Sequence, residues 1–168
     1  AVVTKNHLIH NLAYTNSLIL QHCKNSGKTL LNVRQGYSKC STVLVDDNHL
    51  ISSDEGIYRT VKDHLNILLV QPGHVELDGF DYGFLGGASG VIGDTVVFHG
   101  DLSRHPDFIR IKEFVEAAGK KLLYFPDFDL QDIGSILVFQ TDKRNRKIEL
   151  ASSCKKHVNI PIFISHEG

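Results

Sequence analysis

Short apolar runs, polar turns and stretches of helical periodicity follow one another in a single recurring order along this chain. From Cys40 it reads CSTVLVDDNHLISSD, a helical stretch from Glu55 to about His64, and NILLVQP ending at Pro72. From Ala88 it reads ASGVIGDTVVFHGD, a helical stretch from about Pro106 to Ala118, and KLLYFP ending at Pro126. Each copy is a strand, a tight turn (Asp46-Asp47-Asn48, then Gly93-Asp94), a second strand, a helix and a third strand. Asp54 and Asp101 follow the second strands, 47 residues apart. Asn11 holds the same place in an upstream copy made of AVVTKNHLIHN, a helix from about Asn16 to Asn25, and KTLLNV. Downstream, GSILVFQTDKRNRKIELASS predicts the opening hairpin of a fourth copy, with Lys143, Arg144, Arg146 and Lys147 at its solvated tip and NIPIFI as its last strand.

Helix signals agree with this division. Phe108, Ile111, Val115 and Ala118 form one apolar stripe, with Pro106 suited to a first turn and Gly119 to a left-handed C-terminal cap. Ile57, Val61 and Leu65 are four apart, after a Ser52-Ser53-Asp54 cap. In the first copy Thr15, Asn16 and Ser17 can cap and Gly27 can terminate. A hairpin followed by a helical crossover makes a small mixed sheet with a helix on one face. The bare face must pack on a neighbour, which favours arrays or closed rings. The expected fold class is therefore α/β, with repeated ββαβ units at about 1–35, 36–82, 83–128 and 129–168, three clear copies and part of a fourth.

At 168 residues and 42% hydrophobic content the expectation is one domain, 1–168. A net charge of -1 without a basic run implies neither nucleic acid nor membrane as a partner. With no long apolar span and no signal-peptide pattern, the expected location is the cytoplasm. Cys23, Cys40 and Cys154 are an odd set without C-x-x-C spacing, so neither disulfides nor a structural zinc site is expected. The chain opens on Ala1 and holds no Met, so it reads as a processed piece or fragment and not as a complete open reading frame from residue 1.

The ββαβ units, joined by Gly-rich segments such as QGYSK and DYGFLGG, resemble the pentein superfamily, α/β propellers that include guanidine-modifying enzymes. Gly36-Tyr37-Ser38-Lys39-Cys40-Ser41-Thr42 is similar to the Gly-rich, Cys-x-Thr segment that carries the nucleophilic cysteine of deiminases and amidinotransferases. The runs QGYSKCSTVLVDD, DYGFLGGASGVIGD and LQDIGSILVF also resemble a bacterial family of pentein relatives with no established activity. What this implies is a propeller, and a thiol-dependent enzyme that acts on a guanidine or amidine compound without a cofactor. Cys40 would be the nucleophile. His105 would be the general acid/base and Asp107 a guanidinium-binding carboxylate, because His105-Pro106-Asp107 resembles the family's His-x-Asp pair. The chain departs from the pattern at Lys39, where the enzymes carry His, and in having copies after Cys40 and fewer than five repeats. Because five repeats close the family's ring, the resemblance implies either that one or more upstream repeats are absent from this chain or that the ring is completed some other way, for which an oligomer is one route.

Each candidate also has a structural reading. The counterparts of Cys40 are Gly87 or Ala88 and Gly134 or Ser135, so Cys40 marks either a small-residue packing position or a reactive thiol. In an extended segment Lys39 would point away from Cys40, and any partner for the thiol must come from another copy. His105 and Asp107 also suit a helix start. Asp54 and Asp101, repeated around a ring, either line a cation-binding channel or cap helices. Asp81 and Asp132 lie in Gly-rich connectors, as substrate-binding carboxylates or as loop polarity. His7 and His10 face opposite sides of an extended strand, and no metal site is expected there. The run from Gly86 to Gly90 leads into a strand and lacks a P-loop Lys, so it reads as a connector. The alternative to the enzyme is a non-catalytic propeller-type module that binds a small ligand or another protein through its connector face.

Overall fold

A computed structural model describes the backbone of residues 1–140 and 148–152 and the side chains of residues 1–138. The tip at Lys143, Arg144, Arg146 and Lys147, the NIPIFI strand and Cys154 lie outside the described residues. The described chain is mixed α/β, with three small three-stranded sheets and three α-helices. The first sheet comprises β1 (Val2–Val3), β2 (His7–His10) and β3 (Thr29–Asn32), with α1 (Ser17–Asn25) between the last two. The second comprises β4 (Thr42–Leu44), β5 (His49–Ser52) and β6 (Asn66–Leu69), with α2 (Glu55–Val61). The third comprises β7 (Ser89–Ile92), β8 (Thr95–Phe98) and β9 (Lys121–Leu123), with α3 (Phe108–Ala117). In every sheet the middle strand pairs antiparallel with the first and parallel with the third, as in Val43 opposite Ile51 and Ile51 opposite Leu68. β10 (Ile136–Gln140) and β11 (Ile148–Ser152) form the antiparallel hairpin expected of a fourth unit.

The helix signals act as their chemistry requires. Asn16 caps α1 through Leu18 N–H, and Asp54 caps α2 through Ile57 N–H. α1 and α3 both end in a left-handed glycine, Gly27 and Gly119, and the next residue's N–H returns to Cys23 O and Val115 O. α3 begins at Phe108 rather than at Pro106, because Leu102–Arg104 first turns as a 3-10 helix with Asp101 as its cap. α2 ends at Val61, short of His64.

Alternation along β5 shows how the units stack. Leu50 joins Val2, Ile9 and Leu31 of the first sheet and Ile57 and Val61 of α2 in one buried cluster. Ile51, its neighbour on the opposite face, joins Val43, Val45, Phe98, Ile111 and Val115 in the other. Thus α2 packs between its own sheet and the one before, and α3 repeats the arrangement one unit on. The bare sheet face is covered by the next unit's helix. Neighbouring first strands come so close that a Cβ on Gly90 would overlap Ile136 O, and one on Gly86 would overlap Thr42 O.

No helix among the described residues is long and apolar enough to cross a membrane.

Candidate functional site

Three connectors meet at the starts of the first strands, and they bring Lys39, Cys40, Asp132 and Ser135 together. Residues 36–41 are a turn and not an extended segment: Ser41 N–H donates to Tyr37 O at 2.9 Å, and Thr42 N–H to Lys39 O at 3.2 Å. The expectation that Lys39 points away from Cys40 is corrected for that reason. Lys39 Nζ donates to Ser135 Oγ at 3.3 Å, and the Cys40 thiol sits 4.0 Å from Gly134 O. Ser135 is buried and passes its own proton to Gly86 O. Its φ of 96° lies in the left-handed region, a strained conformation for a residue with a side chain.

The same turn recurs 47 residues on, where Ala88 N–H returns to Phe84 O and Phe84 stacks on Tyr37. That register makes Gly87 and then Gly134 the counterparts of Cys40. Gly87 has no room for a side chain, because its Cβ would overlap the Asp132 carboxylate. That carboxylate is held by Phe84 N–H and Gly134 N–H, each at 2.9 Å. Cys40 is thus the one of the three positions that carries a side chain, and Asp132 lies among the same connectors.

The charges there oppose one another. Burial pushes the Cys40 thiol up, with Asp132 adding to the rise, while Lys39 and the Ser135 hydrogen bond pull it down. Burial lowers the Lys39 ammonium, against the attraction of Cys40 and Asp132. Ser41 Oγ and Thr42 Oγ1, directly after Cys40, are buried and meet no hydrogen-bond partner among the described residues. An orphaned buried hydroxyl costs about 1–3 kcal/mol.

His105 and Asp107 do not join this centre; both are buried and both engage Gln71. His105 Nδ1 accepts from Asp107 N–H at 3.0 Å, so its proton is on Nε2, which donates to Gln71 O at 3.2 Å. Asp107 accepts Gln71 N–H at 2.7 Å and pairs with Arg110 at 2.6 Å. The pair clamps both backbone polar groups of Gln71 and fastens the second unit to the third. Asp54 caps α2 and accepts from Gln35 Nε2. Asp101 bonds Ser103 and Arg104, which hold its carboxyl below the usual range.

His105 and Asp101 also line a groove of about 520 Å³, opposite the connector 73–81 that carries Asp81. Glu76 N–H to Leu130 O and Asp132 N–H to Glu76 O tie its two connector walls together. Arg104 is engaged by Asp101 and Asp129, whereas Glu76, Asp78 and Asp81 have no ion pair among the described residues. Cys40 is not part of the lining. No group of three or more possible metal ligands occurs among the described residues.

The family model of DUF6873, a family of unknown function, matches residues 1–137. The chain belongs to that family. No curated protein and no solved structure matches the chain. The DUF6873 match spans all three complete units and the three connectors that meet at the Cys40 centre, ending just beyond Ser135.

The clamp makes this DUF6873 chain acid-sensitive. Burial, and then the nearby His74 ring, lower the pKa of His105, so below about 6.5 the unfolded chain binds the proton that the folded one refuses. Asp107, whose carboxyl is depressed, adds loss only at lower pH. Stability is expected to fall from about pH 7 to about pH 5.5, with a shallower slope in His105→Gln, measured as denaturation midpoints. Equal slopes would remove His105 as a cause.

Proposed function

We propose that this chain is a pentein-like α/β propeller module whose connectors form a small-molecule site around Cys40, and that Cys40 attacks the central carbon of a guanidine or amidine. The side-by-side first strands and the stacking of each sheet on the next unit's helix support the propeller. One observation carries the site: at a position that is Gly87 and Gly134 in other copies, this copy holds a thiol among the connectors that carry Asp132.

In the reaction the thiol proton passes to a base, and the sulfur electron pair forms the S–C bond while a C=N pair moves onto nitrogen. Collapse restores C=N and expels an amine, which takes the proton back from the base. Water then gives a proton to the base and adds at carbon, and the sulfur leaves and is reprotonated. A cationic guest next to Asp132 offsets the charge that holds the thiol up. The expected result is amine or ammonia release from some member of a panel of guanidino and amidino compounds, abolished in Cys40→Ser. Release that survives Cys40→Ser rules Cys40 out as the nucleophile.

The carboxylate groove supports the second reading, a binding module. Glu76, Asp78 and Asp81 lie beside Phe80, an aromatic side chain 73% exposed, and that combination suits an organic cation without any covalent step.

A further inference from the structure

We propose that the groove between connectors 73–81 and 129–130 docks the basic segment 141–147 of a second copy of this chain, so that copies associate head to tail. This rests on the binding-module reading of the groove, not on the thiol, and gives the groove a macromolecular partner. The charges of the chain are sorted by region. Connectors 73–84 and 124–133 hold Glu76, Asp78, Asp81, Asp127, Asp129 and Asp132 without one Lys or Arg. Asp129 is matched by Arg104 and Asp132 by two backbone N–H groups. That leaves Glu76, Asp78 and Asp81 at the groove without an ion pair among the described residues. Exposed Phe80 stands beside them, over an apolar lining of Val75, Leu77 and Leu130. A carboxylate rim around an exposed aromatic ring fits guanidinium and ammonium groups, by ion pairing and by cation–π contact.

The matching cations are in the chain itself. Segment 141–147 carries Lys143, Arg144, Arg146 and Lys147 against the single Asp142. It lies outside the described residues, but the strands that flank it show where the chain leaves and returns. Gln140 pairs with Ile148 at the far end of the β10–β11 hairpin, whereas Ser135, just before β10, sits among the connectors. At about 3.3 Å per residue, β10 separates that far end from the connectors by about 13 Å. The groove and the basic segment thus belong to opposite ends of the units, and one copy offers its segment to the groove of the next. Such a contact is heterologous: it joins different patches of two copies, leaves one of each free, and repeats. Charges on an exposed rim make it sensitive to salt.

Sedimentation velocity on the full chain tests this. At about 10 mM ionic strength, where charges act over about 30 Å, the wild-type mass should rise with concentration past that of a dimer. At about 1 M, where they act over about 3 Å, it should return to the monomer. A groove variant (Glu76→Gln, Asp78→Asn, Asp81→Asn) and a segment variant (Lys143→Gln, Arg144→Gln, Arg146→Gln, Lys147→Gln) should each be monomeric alone. Mixed in equal amounts they should form a one-to-one dimer and nothing larger, because one working groove and one working segment remain between them. Phe80→Ala, which alters no charge, should weaken wild-type association about fivefold. A wild type that stays monomeric, a single variant that still associates, or a mixture that does not, overturns the proposal. A synthetic 141–147 peptide separates it from the reading of the groove. Peptide binding to wild type but not to the groove variant, with wild type monomeric, overturns the self-association and leaves the binding module standing. Neither peptide binding nor association overturns both.

Discussion

Gly100→Ala should cost about 2–5 kcal/mol, a large part of the roughly 5–15 kcal/mol that holds a domain folded. Gly100 has a φ of +114°, and a Cβ there would overlap the backbone of Asp129 and Leu130. The same residue accepts from Phe125 N–H, and the next, Asp101, donates to Phe128 O. The added methyl would therefore push the connector that carries Asp129 and Asp132 off the third sheet. Gly27→Ala separates the two effects, because its φ is +70° and nothing lies within 4 Å of the new Cβ. It should cost only about 1–2 kcal/mol. Equal losses for the two variants in chemical denaturation would mean that the connector yields freely.

Asp132→Asn should change the chemistry of Cys40 more than its packing. Asp132 helps to hold the thiol up, so its loss should lower the thiol pKa and speed alkylation by neutral iodoacetamide by about three- to tenfold at pH 7. One of the two N–H groups it serves, Phe84 or Gly134, loses an acceptor, at about 1–3 kcal/mol. Lys39→Gln should do the opposite and slow the same reaction, because Lys39 pulls the thiol down.

Much of the fold was legible because each unit writes its own local signals. A short apolar run after the Asp46-Asp47-Asn48 turn marked β5, the spacing of Ile57, Val61 and Leu65 marked α2, and Asn16, Asp54, Gly27 and Gly119 marked helix ends. The 3-10 turn at Leu102–Arg104 was hidden because Pro106 alone suits a helix start. The site was less legible, because its residues meet through long-range contacts that leave no periodic trace. The pairing of Glu76 with Gln131 brings two connectors together across dozens of residues of chain. The turn at 36–41 puts Lys39 and Cys40 on one side, where alternation along a strand would have parted them. His105 Nε2 and the Asp107 carboxylate are engaged by Gln71, a partner that nothing in the His-Pro-Asp motif announces. His10 was expected only to face away from His7 on its strand, with no metal site. Its relevant neighbour is Ser38, 28 residues away on the next unit.

Cys40 and Asp132 are proposed to form one cation-selective thiol centre. Its most direct test is the ratio of alkylation rate constants at Cys40 for cationic 2-chloroacetamidine over neutral iodoacetamide, set against the same ratio for a free thiol such as glutathione. The expected wild-type ratio is at least about tenfold above that of the free thiol, falling toward it in Asp132→Asn. A wild-type ratio equal to that of glutathione, unmoved by Asp132→Asn, would contradict it.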